Sequence, residues 1–204
     1  MLDVQARAAL TGPLERAAAG LDRPGVTPNR LTAAGVVLGL AGAGCAATGW
    51  WAAAAVLWLL SRLADGLDGP LARRRGADGA GGFLDITADF LVYGAFVVGV
   101  AVGVGGSALP FLVVLLAYYV NGTAFLAFSS IAERAGRREV EDDRLSRGRS
   151  LNFLGGLTEG TETIAVHTLW CLLPGIAHTV AWVWAGAVGV TAVHRVVTGY
   201  RRLR

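Results

Sequence analysis

The chain has 204 residues, of which 54% are hydrophobic and 29 are glycine, with a mean hydropathy of +0.53 and a formal net charge of +3. This balance fits an integral membrane protein rather than a soluble domain. No stripe of aromatic and basic residues indicates nucleic acid, and two cysteines, Cys45 and Cys171, support neither a disulfide framework nor a zinc site.

In chain order, the first 24 residues are too polar for a membrane span and lack the apolar centre of a signal peptide. Leu2, Ala6, Leu10, Leu14 and Ala18 trace one side of a helix interrupted by Gly12-Pro13. They predict a kinked amphipathic helix lying on the membrane surface, so residues 1–26 form a juxtamembrane segment and residues 27–204 a membrane domain. Six apolar stretches follow, near 31–49, 51–72, 82–104, 108–131, 153–173 and 177–199, each close to the ~20 residues that cross a bilayer as helix. The predicted fold is therefore an all-α integral membrane protein of six transmembrane helices with an N-terminal surface helix. The second, third and fifth spans contain carboxylates, so plain hydropathy underrates them. The longest polar stretch, from Glu133 to Ser150, mixes six arginines with five acids and reads as a solvated loop.

All 18 basic residues are arginine. Sixteen of them cluster before the first span, at Arg73–Arg75, in the 133–150 loop and after the sixth span, and Arg62 and Arg195 lie within spans. The other three connections, near Thr48–Trp50, Gly105–Ser107 and Pro174–His178, carry none. By the positive-inside rule both termini face the cytoplasm. The high pI of about 9.3 then reports topology and contact with anionic lipid, with no nucleic-acid partner.

Four aspartates lie inside these apolar stretches. Asp65 and Asp68 are i,i+3 on one helix, and Asp85 and Asp89 are i,i+4 on the next, so each pair shares a face. Facing one another, they gather four carboxylates that cannot all stay ionised without positive charge between them. A pair of divalent cations supplies it and suits carboxylate oxygens and phosphates together. Asp65 lies about 12 Å from the Arg73 end of its helix, which places the group in a cavity open to the cytosol and within reach of a lipid. Arg62, one turn before Asp65, faces the same cavity.

The runs DGLDGPLAR (65–73) and GGFLDITAD (81–89) resemble the signature of the CDP-alcohol phosphotransferases: Asp-x-x-Asp-Gly-x-x-Ala-Arg, then Gly-x-x-x-Asp-x-x-x-Asp. The matching residues are Asp65, Asp68, Gly69, Ala72, Arg73, Gly81, Asp85 and Asp89. Gly82 would serve the longer spacing common in the family. The resemblance implies metal-dependent transfer from a CDP-linked donor such as CDP-diacylglycerol to an alcohol, with release of CMP, in phospholipid synthesis. It implies Mg2+ or Mn2+, two per site, on Asp65, Asp68, Asp85 and Asp89, with Asp89 also the general base. The residues alone do not choose between Asp85 and Asp89 for that role. Small residues at Gly69 and Ala72 leave room for the nucleotide, with Arg73 and Gly81 beside it, and Arg73 offers a forked donor to phosphate. Arg74 and Arg75 read as cytoplasmic anchors. TPNRLT (27–32) also matches the family's first helix start: Thr27 and Asn29 suit capping, and Thr32 is a candidate nucleotide contact. The family further implies a homodimer, which the Gly- and Ala-rich first, third and fourth spans would permit.

The acceptor is less marked. Asn121, Glu159, Glu162 and Arg195 are polar groups at or near membrane depth and candidates for its pocket. Alternatively, Glu159 or Glu162 forms a buried ion pair with Arg62 or Arg195. A soluble CDP-amino alcohol or CDP-polyol donor acting on a lipid or polyol acceptor is a second reading. Membrane prenyltransferases, which also carry Asp-x-x-Asp motifs, are a third, and a non-enzymatic channel or scaffold is a fourth. His167 and His194 lack a second ligand at metal spacing and read as packing residues.

Overall fold

Helix breakers and caps in the sequence divide the chain as the structure does. The computed structural model describes residues 2–76, 79–134 and 158–204. Its elements are α1 (Leu2–Leu21), α2 (Pro28–Ala47), α3 (Trp51–Arg75), α4 (Gly79–Val104), α5 (Leu109–Arg134), α6 (Gly160–Leu172), a 3-10 turn (Pro174–Ile176) and α7 (Ala177–Leu203), with no strand among the described residues. Thr27 caps α2, accepting from the Arg30 amide at 3.3 Å, and Pro28 occupies the first helical position, where its missing N–H is no loss. Gly76, at φ +81°, ends α3 in a left-handed conformation that favours glycine. Helix α1 runs through Gly12-Pro13 as one element. It packs against α3 and α6, with Ala18 fully buried.

Among the described residues, four segments are long and apolar enough to cross a membrane: Pro28–Ala47, Gly79–Val104, Leu109–Ala132 and Pro174–Leu203. Helix α3 is long enough, but Arg62, Asp65, Asp68 and Arg73–Arg75 lower its hydropathy. The described part of α6 has 13 residues, about 20 Å of helix. Most of the 133–150 loop, with the arginines from Arg137 to Arg149, lies outside the described residues, as does the start of the fifth predicted span.

Glycine sets the packing around α2. Gly35, Gly39 and Gly42 share one face of it, against Ser61, Val92 and the Leu57–Trp58 backbone. On α4, Gly99 and Gly103 sit directly on the carbonyl oxygens of Ala43 and Ala46, and on α5 Gly122 lies against the Phe90 ring. The small residues expected to serve contact between two copies thus bring α2, α3, α4 and α5 together within one chain. Trp58, Phe96, Trp170 and Val188 fill the core where the helices converge. Large apolar side chains such as Leu63, Leu116, Val183 and Val193 point outward, as lipid-facing residues do.

At the arginine-rich end, Asp22 ties the α1–α2 connection to α3. Its carboxylate is 2.7 Å from Arg75 Nη2 and 3.5 Å from Arg74 Nε. Arg75 also donates to the carbonyls of Val26 (2.5 Å) and Arg23 (3.0 Å). Arg74 and Arg75 are therefore partners of Asp22 rather than free anchors, a pairing that local sequence does not reveal across 53 residues. The Arg75 hydrogen bond holds the Asp22 carboxyl below the ordinary carboxylate range. A group with a depressed folded pKa contributes stability above its unfolded value and loses it as pH falls through the folded one. Asp22→Asn should therefore lower the melting temperature slightly at neutral pH, and the gap to wild type should close as pH falls below about 3.9. Thermal melts of both proteins across that range check it; a gap that persists at the lowest pH contradicts it.

Candidate active site

Helices α3 and α4 meet across the short connection after Gly76 and bring their aspartates together. Carboxylate oxygens of Asp65, Asp68 and Asp85 lie within 4.8 Å of one another. Two oxygens on opposite sides of one Mg2+ or Mn2+ at about 2.1 Å stand about 4.2 Å apart, so small side-chain shifts would suffice to bind one. Hard, anionic oxygen donors fit such a cation. Asp68 is the most enclosed of the three, 5% exposed, and the Thr32 hydroxyl on α2 stands 2.6 Å from its Oδ2. Pro28 O is farther from that hydroxyl, at 3.2 Å. Its single proton goes to the nearer, charged acceptor.

Asp89, the fourth aspartate, is one turn beyond Asp85 and stands outside the three-oxygen group. Its Oδ1 lies 2.5 Å from Nη1 of Arg62, which is also 3.7 Å from Asp65 Oδ1. Arg62 thus faces the carboxylates and pairs with Asp65 and Asp89. Beside them, a Cβ on Gly69 would meet only the Arg73 guanidinium, at 3.6 Å, so the helix surface there is open. Ala72 and Gly81 are half-buried and Arg73 is exposed. A cavity of about 250 Å³ lined by Glu15, Pro70, Arg73 and Arg74 adjoins this surface.

The acceptor candidates lie on α5, α6 and α7. Asn121 is half-buried, and its Oδ1 has no hydrogen-bond partner among the described residues. Glu159 is the N-cap of α6 and Glu162 its third residue, accepting from the Glu159 amide at 3.2 Å. The predicted span carried α6 through both acids; the helix instead starts at Gly160, so they sit at its N-terminus, where carboxylates satisfy free N–H groups. Arg195 on α7 is 7% exposed and stacks 5.4 Å over the Phe125 ring. One turn earlier, Thr191 accepts from Thr158 at 2.9 Å. His167 is fully buried between Trp58, Phe96 and Trp170, with its Nε2 3.0 Å from the Tyr118 hydroxyl. That is a packing role.

This arrangement defines an aspartate site on two neighbouring helices, and the family follows from comparison. The chain belongs to the CDP-alcohol phosphatidyltransferase family, whose profile matches residues 25–193. Its members transfer substituted phosphate groups, and the chain is such a transferase. Inner membrane protein YnjF of Escherichia coli is 40% identical over 185 residues, covering 90% of this chain and 88% of that protein. The crystal structure of Mycobacterium tuberculosis phosphatidylinositol phosphate synthase (PgsA1) with CDP-DAG bound has a TM-score of 0.73 and 25% identity, over 92% of this chain and 93% of that one. The same synthase with manganese and citrate has a TM-score of 0.73 and 27% identity, over 92% and 88%.

Proposed function

We propose that the protein transfers a phosphatidyl group from CDP-diacylglycerol to an alcohol and releases CMP. The reading rests above all on the convergence of Asp65, Asp68 and Asp85 within 4.8 Å, beside the open surface at Gly69. It is supported by the family and by the mycobacterial synthase named with CDP-DAG and with manganese.

Asp65, Asp68 and Asp85 would hold Mg2+ or Mn2+, with Asp89 joining as a second ion is taken up. Bound divalent ions would neutralise the pyrophosphate and stabilise the departing oxygen. Thr32 orients Asp68 through its hydroxyl. Gly69 and Ala72 leave room for the cytidine, and Arg73 and Gly81 stand beside the phosphates. Asp89 would take the proton from the acceptor hydroxyl as the new P–O bond forms. The P–O bond to CMP breaks in the same displacement, leaving CMP with its charge on phosphate.

We further assign six membrane spans, with α3 and α6 joining the four apolar segments, and place both termini and the site on the cytoplasmic side. A homodimer is proposed from the family alone. Asn121, Glu159, Glu162 and Arg195 are proposed for the acceptor pocket. Arg195→Met should raise the acceptor KM severalfold and leave the donor KM within about twofold, because the donor is held elsewhere. Equal loss of both substrates would remove Arg195 from that pocket. The defining experiment supplies CDP-diacylglycerol with a panel of alcohols and follows CMP. Release that depends on an acceptor and stops with a chelator is expected. Turnover confined to soluble CDP-amino alcohols or CDP-polyols would reverse the donor assignment.

A further inference from the structure

The aspartate group has a cation built into the fold. Arg62 is 7% exposed, and its guanidinium is held on several sides. It stacks on Trp58 and Tyr93 at 5.1 and 4.7 Å from their ring centroids. Nη2 donates to Ser61 Oγ at 3.0 Å, and that hydroxyl donates to Gly35 O at 2.7 Å. Nη1 sits between Asp89 (2.5 Å) and Asp65 (3.7 Å). A planar fork stacked on two rings and tethered by a hydroxyl cannot follow a carboxylate that moves away.

We infer that Arg62 is a positioning residue that stands, as a fixed monovalent cation, against the Asp65 and Asp89 carboxylates that a second divalent ion would use. It neutralises part of the charge that Asp89 brings beside the three-oxygen group of Asp65, Asp68 and Asp85. The site therefore takes up one divalent ion tightly and a second weakly until an anionic donor arrives. Four carboxylates with one guanidinium leave a formal charge of minus three, which one divalent ion reduces to minus one. A second ion would make the site positive beside a guanidinium that cannot leave, unless phosphates enter with it. The part played by the donor rests on the function proposed above. The uneven affinity for the two ions rests on geometry alone.

The test is titration of the purified full chain with Mn2+ in nanodiscs of zwitterionic lipid, with free Mn2+ read by electron paramagnetic resonance. Without nucleotide, wild type is expected to bind one ion tightly and a second at least about tenfold more weakly, and added CDP should narrow the gap. Arg62→Met should tighten the second ion by about tenfold or more, and Asp68→Asn should lose the tight ion. Two equally tight ions in wild type without nucleotide would overturn the inference, as would an unchanged second affinity in a folded Arg62→Met protein. If that variant does not fold, Arg62→Lys keeps the charge but cannot reach Ser61 and Asp89 together, and should tighten the second ion to a smaller degree. An unchanged second affinity in Arg62→Lys would also overturn the inference. A transfer assay on the same samples separates the two readings. Active enzyme with two equal ions ends only this inference, whereas folded wild type that binds no Mn2+ ends both.

Discussion

Asp68→Asn should lower transfer by at least about a hundredfold while leaving the protein folded. Asp68 accepts the Thr32 proton at 2.6 Å and shares the three-oxygen group with Asp65 and Asp85. Asparagine keeps the shape and can still accept that hydrogen bond, but removes the anionic oxygen a divalent ion requires. Metal-based stabilisation of developing charge contributes several kcal/mol, and each 1.36 kcal/mol is about tenfold in rate. CMP release at saturating Mg2+ is the measurement. Retention of a tenth of wild-type turnover would remove Asp68 from the metal site. Thr32→Val serves as the graded comparison: it should weaken metal uptake by about 10–100-fold, as losses of such supporting partners do.

The second large effect is expected far from the chemistry, at Gly99→Ala. A Cβ there would strike the Ala43 carbonyl of α2, and backbone cannot yield as a flexible side chain would. Overpacking of this kind costs about 1–3 kcal/mol where neighbours can adjust, and more where they cannot. Relief requires α4 to move off α2, and α4 carries Asp85 and Asp89. Both the melting temperature and activity should therefore fall. Gly94→Ala, where an added methyl meets nothing within 4 Å, should leave both near wild type. Equal behaviour of the two variants in a detergent melt would contradict the packing argument.

The carboxylate pairs were legible in the sequence because helix periodicity alone puts Asp65 with Asp68 and Asp85 with Asp89. The signature spacing then named the family. Thr32 entered through the family as a candidate nucleotide contact, and its hydrogen bond to Asp68, 36 residues away, was not legible in the sequence. Arg62 could be placed on the right face, yet its choice of Asp89 depends on the rings of Trp58 and Tyr93 and the anchored Ser61. Periodicity does not encode such cross-helix geometry. Glycine content indicated close helix approach without saying to which helix, and in this chain the partners are internal. The α6 boundary was misplaced because Ile164–Leu172 reads as membrane helix, and the run was extended back past Gly160 although Glu159 and Glu162 have the spacing of a cap.

The Asp22–Arg75 tie bears on how the protein meets an anionic substrate in solutions of different ionic strength. The run Arg73-Arg74-Arg75 looks like a triple charge, but Arg75 is bound to Asp22 and to two backbone carbonyls, and Arg74 lies 3.5 Å from the same carboxylate. Arg73 is the one left facing the open surface near Gly69. One carboxylate against three guanidinium groups leaves this end of α3 a formal charge of plus two, and the exposed Arg73 is the part of it nearest that surface. Added salt should weaken the pull of this end of α3 on the donor less steeply than three unpaired arginines would give, because Asp22 already cancels one of the charges.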